Sequence, residues 1–225
     1  MPRAVQSPEE ISSMRDKILD VAAELIVEEG FNKLSMRKIA SRLGVTATNL
    51  YYYFASKDEI NIMIRVRGFH MLYDQLLAAY NKHDAPADRH RAIAWAFVDF
   101  GITYPDYFDV MYNLRTPKYT NYIGTKLETV ASYEKNSSKR TLQISIDILA
   151  EMVGKKIEKQ QEYLKYRAIR VWSDLHGIIS IYNSRVLFEA AENDKEILER
   201  RVNEVLDESI ASCVTELPFL RQVEY

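Results

Sequence analysis

The sequence predicts an all-α protein. Only 7 Gly and 6 Pro occur in 225 residues, too few turn residues for a β-sandwich or barrel. Apolar side chains recur at spacings of three and four along most of the chain, the signature of amphipathic helices. Helix-start chemistry precedes these runs, as at Ser7-Pro8-Glu9-Glu10 and Ser56-Lys57-Asp58-Glu59. A hydrophobic content of 47% with 28% charged residues belongs to a folded globular chain rather than a disordered one. The length suits one domain with an appendage, or two small ones.

Whole-chain properties exclude several classes of function. The net charge is −2, so a nucleic-acid partner would have to be met by a local patch. The single cysteine, Cys213, excludes an internal disulfide framework, and no secretion signal opens the chain, so a reducing cytoplasm is expected. The most weakly charged stretch, Ala92 to Tyr104, still contains Asp99 and is too short to span a bilayer, so no membrane partner is expected.

The first helix is expected from Ser7, with Pro8 in its first turn, to Glu29. Ile11, Met14, Ile18, Val21, Ala22, Leu25 and Ile26 make its apolar face. Gly30 sits where a left-handed cap is wanted. From there to Lys57 the only charged residues are Lys33, Arg37, Lys38, Arg42 and Lys57, all basic in an otherwise acidic protein. Within this patch a short helical pattern, Ser35 to Leu43, ends at Gly44, and a second restarts with Thr46 as N-cap. Two short helices joined by a tight glycine turn read as a helix-turn-helix. The second carries Thr48, Asn49, Tyr51, Tyr52 and Tyr53, groups able to hydrogen-bond base edges or phosphates and to pack on thymine methyls. Consecutive helical residues point about 100° apart; we assign the inward position in part to Tyr51 and the outward ones to Tyr52 and Tyr53. A solvated basic face is the bland alternative, but it would not also exclude every acid and interleave three tyrosines.

Ser56 to Glu59 forms a capping box opening a helix of about 24 residues, about 36 Å long. Pro86 and Ala87 open a further helix, apolar nearly all round from Ile93 to Ile102, expected at the centre of a second domain. Pro105 breaks it and starts a short piece with Tyr107, Phe108, Met111 and Tyr112. Pro117 starts another stretch, interrupted near Asn136-Ser137-Ser138 and ending about Val153. A long helix is expected from about Glu158 to Glu192, and a last one after Asn193-Asp194 carries an apolar stripe through Leu206, Ile210, Cys213 and Leu217. That stripe is wide for a chain end, and with Ile178 and Tyr182 on the preceding helix it predicts a two-fold homodimer.

Arg15-x-x-Ile18-Leu19-x-x-Ala22, Gly30-Phe31, Ile39-Ala40, Leu43-Gly44-Val45-Thr46, Leu50-Tyr51-Tyr52-Tyr53-Phe54 and Ser56-Lys57-Asp58-Glu59 closely resemble the N-terminal domain of TetR-type bacterial transcriptional regulators. The remainder resembles that family's C-terminal domain more loosely, through Trp172-x-x-x-His176-Gly177 and Pro105-x-Tyr107-Phe108. The resemblance implies a helix-turn-helix domain at residues 11–71, joined by a long helix to a ligand-binding and dimerisation domain at 72–225. It implies a recognition helix from Thr46 to Tyr53, with Ser35 and Arg37 on the preceding helix and Tyr52, Tyr53 and Lys57 on phosphate. Thr48-Asn49, where the family often has Gly followed by Thr or Ser, and Tyr53, where His is frequent, are departures at base-reading positions.

The implied function is a ligand-responsive repressor that binds a double-stranded, pseudo-palindromic operator as a dimer. The effector expected from Trp95, Phe100, Tyr104, Phe108, Met111 and Tyr112 is a small apolar or aromatic molecule, although each of these residues individually also suits a core. Trp172 and His176 are either pocket or hydrogen-bonded core, and Asp99 is either a helix–helix anchor or a polar pocket group. The competing reading is a ligand-binding adaptor that keeps the helix-turn-helix as scaffold. Catalysis finds little support: the four histidines lack metal-ligand spacing, there is no glycine-rich phosphate loop, and no cofactor is implied.

Overall fold

The computed structural model describes residues 7–154 and 161–215. Among these residues there are helices and turns but no strand. The α-helices are α1 (Pro8–Glu29), α2 (Met36–Leu43), α3 (Ala47–Leu50), α4 (Lys57–Tyr80), α5 (Pro86–Thr103), α6 (Pro105–Phe108), α7 (Glu128–Val153), α8 (Gln161–Asn183), α9 (Val186–Ala190) and α10 (Asp194–Thr215). No helix among the described residues is long and apolar enough to cross a membrane. The chain divides into two compact units, one of residues up to 70 with 106–138, the other of 71–105 with the residues from 139 onward. These units divide at 70/71, 105/106 and 138/139, whereas the single division expected from sequence, at 71/72, leaves 106–138 in the second domain. Those residues instead pack with the N-terminal helices, for the reasons that follow.

In the first unit, α1 starts as its sequence dictates: the Glu10 amide donates to Ser7 Oγ (3.2 Å) and the Ser7 amide to the Glu10 carboxylate (2.8 Å). Its buried face is Ile18, Leu19, Ala22, Ala23, Leu25 and Ile26. Gly30 has the expected positive φ, 86°, but with ψ 152°, so the chain leaves the helix extended rather than through a left-handed turn. Gly44, at φ 68° and ψ 27°, is a true left-handed cap of α2.

The middle of α4 explains why 106–138 joins this unit. Arg65 is 0% exposed; its Nε and Nη2 donate to the two carboxylate oxygens of Glu134 (3.2 and 3.3 Å), and its Nη1 donates to Thr116 Oγ1 (3.2 Å) and the Pro117 carbonyl (2.8 Å). Two residues on, and so about 200° round the helix, Arg67 Nη1 donates to Asp20 Oδ1 (2.8 Å) and the Tyr107 hydroxyl (2.7 Å). Next to Arg67, Gly68 lets the 106–138 segment approach closely: a Cβ there would lie 2.4 Å from Met111 Sδ and 3.3 Å from the Tyr107 ring. Ile62 and Val66 complete the contact against Tyr122 and Ala131.

Three further expectations are corrected. Pro117 does not start a helix: a 3₁₀ turn at Tyr119–Asn121 precedes α7, which begins at Glu128. Then α7 runs through Asn136-Ser137-Ser138 without a break, because the Ser137 and Ser138 hydroxyls donate to the carbonyls of Tyr133 and Lys135 in the preceding turn and so stay within the helix. The long helix after it stops at Asn183 instead of Glu192. There Asn183 Nδ2 donates to the Gly101 carbonyl, the Ser184 hydroxyl to that of Ile181, and Arg185 turns left-handed at φ 65°. Its expected start, Glu158, and Leu217 at the far end of the stripe lie outside the described residues.

In the second unit, α5 is the central element, as its all-round apolarity requires. His90, Ile93, Ala94, Phe97, Val98, Phe100 and Gly101 are buried. Helices α8 and α10 pack on it and on each other. A second cluster gathers Leu149 and Val153 of α7, Leu164 and Ala168 of α8, and Cys213 of α10. His90 Nε2 lies 3.0 Å from Ser209 Oγ, and burial, reinforced by the charges of Arg167 and Arg91, pushes its pKa down to about 4.

Candidate nucleic-acid interface

The helix-turn-helix is held by a small apolar centre made of Leu34, Met36, Ile39, Ala40, Leu50, Tyr53 and Phe54, all buried. Caps set both short helices. Ser35 Oγ accepts from the Lys38 amide (3.3 Å) and Thr46 Oγ1 from the Asn49 amide (3.2 Å). Ser35 therefore serves first as a cap, and Arg37, in the first turn that follows, is exposed.

Beyond Leu50 the regular helix ends, yet the turn continues: the Tyr53 and Phe54 amides both donate to the Leu50 carbonyl, at 2.9 and 3.0 Å. This geometry corrects the orientation of the tyrosines. Tyr51 and Tyr52 are 57% and 66% exposed, whereas Tyr53 is 4% exposed. The signal was present in the sequence, since Leu50, Tyr53 and Phe54 stand at i, i+3 and i+4 and share one face. Tyr53 acts instead as a support, its ring meeting that of Tyr52 edge-on at 5.0 Å. Thr46 and Thr48 are exposed beside Tyr51 and Tyr52, and Asn49 is half-buried.

A residue given no role by the sequence reading closes this assembly. Arg15 of α1 donates from Nη1 to the Tyr53 carbonyl and lies 4.1 Å over the Phe54 ring, tying the end of the recognition segment to α1. Lys57 opens α4 with its ammonium 3.5 Å from the Phe31 carbonyl and 4.7 Å over the Phe31 ring. The start of α4 uses only half of the expected box: Ser56 Oγ accepts from the Glu59 amide (3.1 Å), but the Glu59 carboxylate takes the Ala55 amide (2.7 Å).

The nine residues expected near a ligand fall in both units. In the first, Phe108 and Met111 are buried, and the half-buried Tyr112 packs on Phe108 and Phe69 at ring separations of 5.1 and 5.9 Å. In the second, Phe100 is a fully buried core ring 5.5 Å from Tyr104, and Trp172 lies 5.5 Å from His176. Trp95, Tyr104, Trp172 and His176 are half-buried. Asp99 is exposed, which removes both roles expected of it: water solvates the carboxylate directly. Among the described residues, no group of three or more His, Cys, Asp or Glu could hold a metal ion.

Of the residues expected at a dimer interface, Leu206 and Cys213 are 0% and 2% exposed within the single chain. They are corrected to core: one half of the wide α10 stripe is consumed by α5, α7 and α8. Tyr182 and Ile210 are half-buried. Ile178 lines an open groove of about 620 Å³ with Ser173, Gly177, Ile181, Ile197 and Arg201. Ile181, 44% exposed, was missed, although it stands three residues from Ile178 on the same face.

Residues 18–61 match the family described as bacterial regulatory proteins, tetR family, and residues 90–205 match the tetracyclin repressor-like C-terminal domain. An uncharacterized HTH-type transcriptional regulator of Bacillus subtilis, YobS, is 25% identical over 81% of this chain and 83% of its own length. The transcriptional repressor KstR2 of Mycobacterium tuberculosis is 35% identical over 71 residues, covering 32% of this chain and 34% of the repressor. Among solved structures, a TetR-family regulator from Bordetella parapertussis superposes with a TM-score of 0.67 at 17% identity, covering 86% of this chain and 94% of that one. The fatty acid degradation regulator FadR from Bacillus halodurans gives 0.63 at 15%, covering 90% and 96%. The relatives named here are regulators and not enzymes. With the C-terminal match spanning half of the chain and the N-terminal match spanning the helix-turn-helix, this chain belongs to the TetR family of bacterial DNA-binding transcriptional regulators.

Proposed function

We propose that the chain is a homodimeric, ligand-responsive repressor that reads a pseudo-palindromic operator. The observation that carries this reading is one exposed rim of the helix-turn-helix. Arg37, Thr46, Thr48, Tyr51 and Tyr52 are exposed on a unit whose opposite faces are core, with the half-buried Ser35, Asn49 and Lys57 beside them. Thr48, Asn49, Tyr51 and Tyr52 read base edges or adjacent phosphates in the major groove, while Arg37 and Lys57 neutralise phosphate and set register. Lys57 gains further from the amides of the first turn of α4, which favour an anion. Tyr53 supports the tyrosine rim from beneath.

The groove along α8 and α10 that Ile178 and Ile181 line, together with the half-buried Tyr182 and Ile210 of the same two helices, is the dimerisation face. Two recognition segments in adjacent major grooves require half-sites about 34–36 Å apart. The effector is a small apolar or aromatic molecule held by half-buried rings such as Trp95, Tyr104 and Trp172. Each of α4 and α7 is a continuous helix belonging to both units, so these two helices carry its effect to DNA. Coupling of about 1–3 kcal/mol would change operator affinity about 5- to 150-fold. The repressor sign follows the mycobacterial relative over its N-terminal segment.

The test is selection of bound fragments from random-sequence DNA, followed by affinity measurements against scrambled DNA over a salt series. A palindromic winner preferred by about 10³ or more is expected. Equal, weak binding to both would refute the reading and leave an adaptor that keeps its helix-turn-helix as scaffold.

A further inference from the structure

We propose that Glu28 and Glu29 of α1 are a charge mask: they neutralise Arg42 and Lys38 and so limit the sequence-independent affinity of the helix-turn-helix for DNA. The inference rests on the DNA-binding reading above. The sequence offers five cations between Gly30 and Lys57 and no acid among them, which suggests that all five face phosphate. Acids from α1, outside that stretch, divide the set. The Arg42 guanidinium forks the Glu28 carboxylate, with Nη2 at 2.7 Å and Nη1 at 3.3 Å from its two oxygens, and Glu24 stands 3.9 Å from the same Nη1. The Lys38 ammonium is bonded to Glu29. Among the described residues, Lys33 and Arg37 have no ion pair within 4 Å, and Lys57 has only the Phe31 carbonyl and ring.

A bidentate guanidinium–carboxylate pair matches the planar fork of both partners. The Arg42 hydrogen bond holds the Glu28 carboxyl below its ordinary range, so the mask keeps its charge in neutral and mildly acidic solution. A cation already matched to a carboxylate brings no condensed counterion release when a phosphate approaches, because it gains one anion only by giving up another. Sequence-independent affinity is this counterion release, with a log–log salt slope of about −0.9 per phosphate neutralised on duplex DNA. The unmasked patch therefore counts Lys33, Arg37 and Lys57.

The experiment measures binding of the full chain to scrambled duplex DNA from 50 to 200 mM salt. Glu28→Gln, which keeps the shape and removes the charge, should steepen the slope by about 0.9 for each patch on the DNA, equivalent to about a 3.5-fold larger loss of affinity across this fourfold salt range. Glu29→Gln, acting on Lys38, should do the same independently. Arg42→Ala should leave the slope unchanged, and Arg37→Ala, the reference, should flatten it. These side chains are exposed and such pairs add little to stability, so circular dichroism should show folded variants. If Arg37→Ala flattens the slope while Glu28→Gln and Glu29→Gln leave it unchanged, the mask is refuted. A flattened slope in Arg42→Ala also refutes it, since Arg42 then exchanges Glu28 for phosphate. If Arg37→Ala has no effect and the chain does not bind DNA, it is the DNA-binding reading that fails.

Discussion

Replacing Glu134 by alanine strands a guanidinium that water does not reach. Arg65 is 0% exposed and Glu134 is itself buried, and two of the four bonds that hold the guanidinium end on that carboxylate. The Thr116 hydroxyl and Pro117 carbonyl remain, but neither carries charge. Removing one partner of a buried pair costs about 3–5 kcal/mol, because the remaining charge is uncompensated. That is a large share of the roughly 5–15 kcal/mol that stabilises a folded domain. For a chain of this size the melting temperature should fall by about 6–20 °C, at about 2–4 °C per kcal/mol. Chemical denaturation of Glu134→Ala, Arg65→Met and the double variant Arg65→Met/Glu134→Leu gives the assay. Both single variants should be strongly destabilised, and the double variant should recover most of the loss, since an apolar pair of similar volume needs no compensation. A loss below about 1 kcal/mol for Glu134→Ala, or a double variant worse than either single one, would refute the claim that this pair is dry and mutually dependent.

Other expected outcomes probe the remaining sites. Lys57→Ala should weaken binding to every DNA sequence and flatten the salt slope by about 0.9 for each patch on the DNA, whereas Asn49→Ala should relax preference at one operator position; identical profiles would dissolve the division of roles. Tyr53→Ala should cost about 3–5 kcal/mol of stability as a buried aromatic, while Tyr52→Ala should shift stability by less than about 0.5 kcal/mol and still weaken operator binding in a gel-shift titration. Because burial lowers the folded pKa of His90 to about 4, the unfolded chain binds a proton between about pH 6.5 and 4 that the folded one refuses. Stability is therefore full above pH 6.5 and falls as pH drops, by about 3 kcal/mol at pH 4, and His90→Gln should remove that portion of the acid sensitivity in denaturation midpoints. Ile181→Asp should sediment as a monomer, and an intact dimer would move the interface off the groove.

Local chemistry made much of this fold legible. Ser7, Pro8, Gly30, Gly44, Thr46 and Pro86 each sit where a helix begins or ends, because caps and turns are decided by residues a few positions apart. The inward tyrosine lies two positions beyond the one expected, by a local rule: Leu50 fixes the inward face, and three and four residues later it takes Tyr53 and Phe54. What the sequence could not show were pairings across long separations. Nothing near Arg65 announces Glu134, nothing near Arg42 announces Glu28, and nothing near Cys213 says that Leu149 and Leu164 will cover it. The serines of α7 misled for a related reason, since the same hydroxyl that breaks a helix can bond to its preceding turn and stay within it.

The first unit is discontinuous, and that has a consequence for synthesis and for grafting. A ribosome that has released only the residues up to 71 has made every helix of the helix-turn-helix, yet Arg65 still lacks Thr116, Pro117 and Glu134, and Ile62 and Val66 lack the Tyr122 and Ala131 side chains that cover them. The nascent reader must wait for the residues up to Glu134, about half of which belong to the other unit, before its last charge is buried. A hybrid regulator assembled by a cut at residue 71 would inherit the same deficit permanently. The transplantable piece is the N-terminal segment together with residues 106–138, moved as one graft with Gly68 opposite Met111.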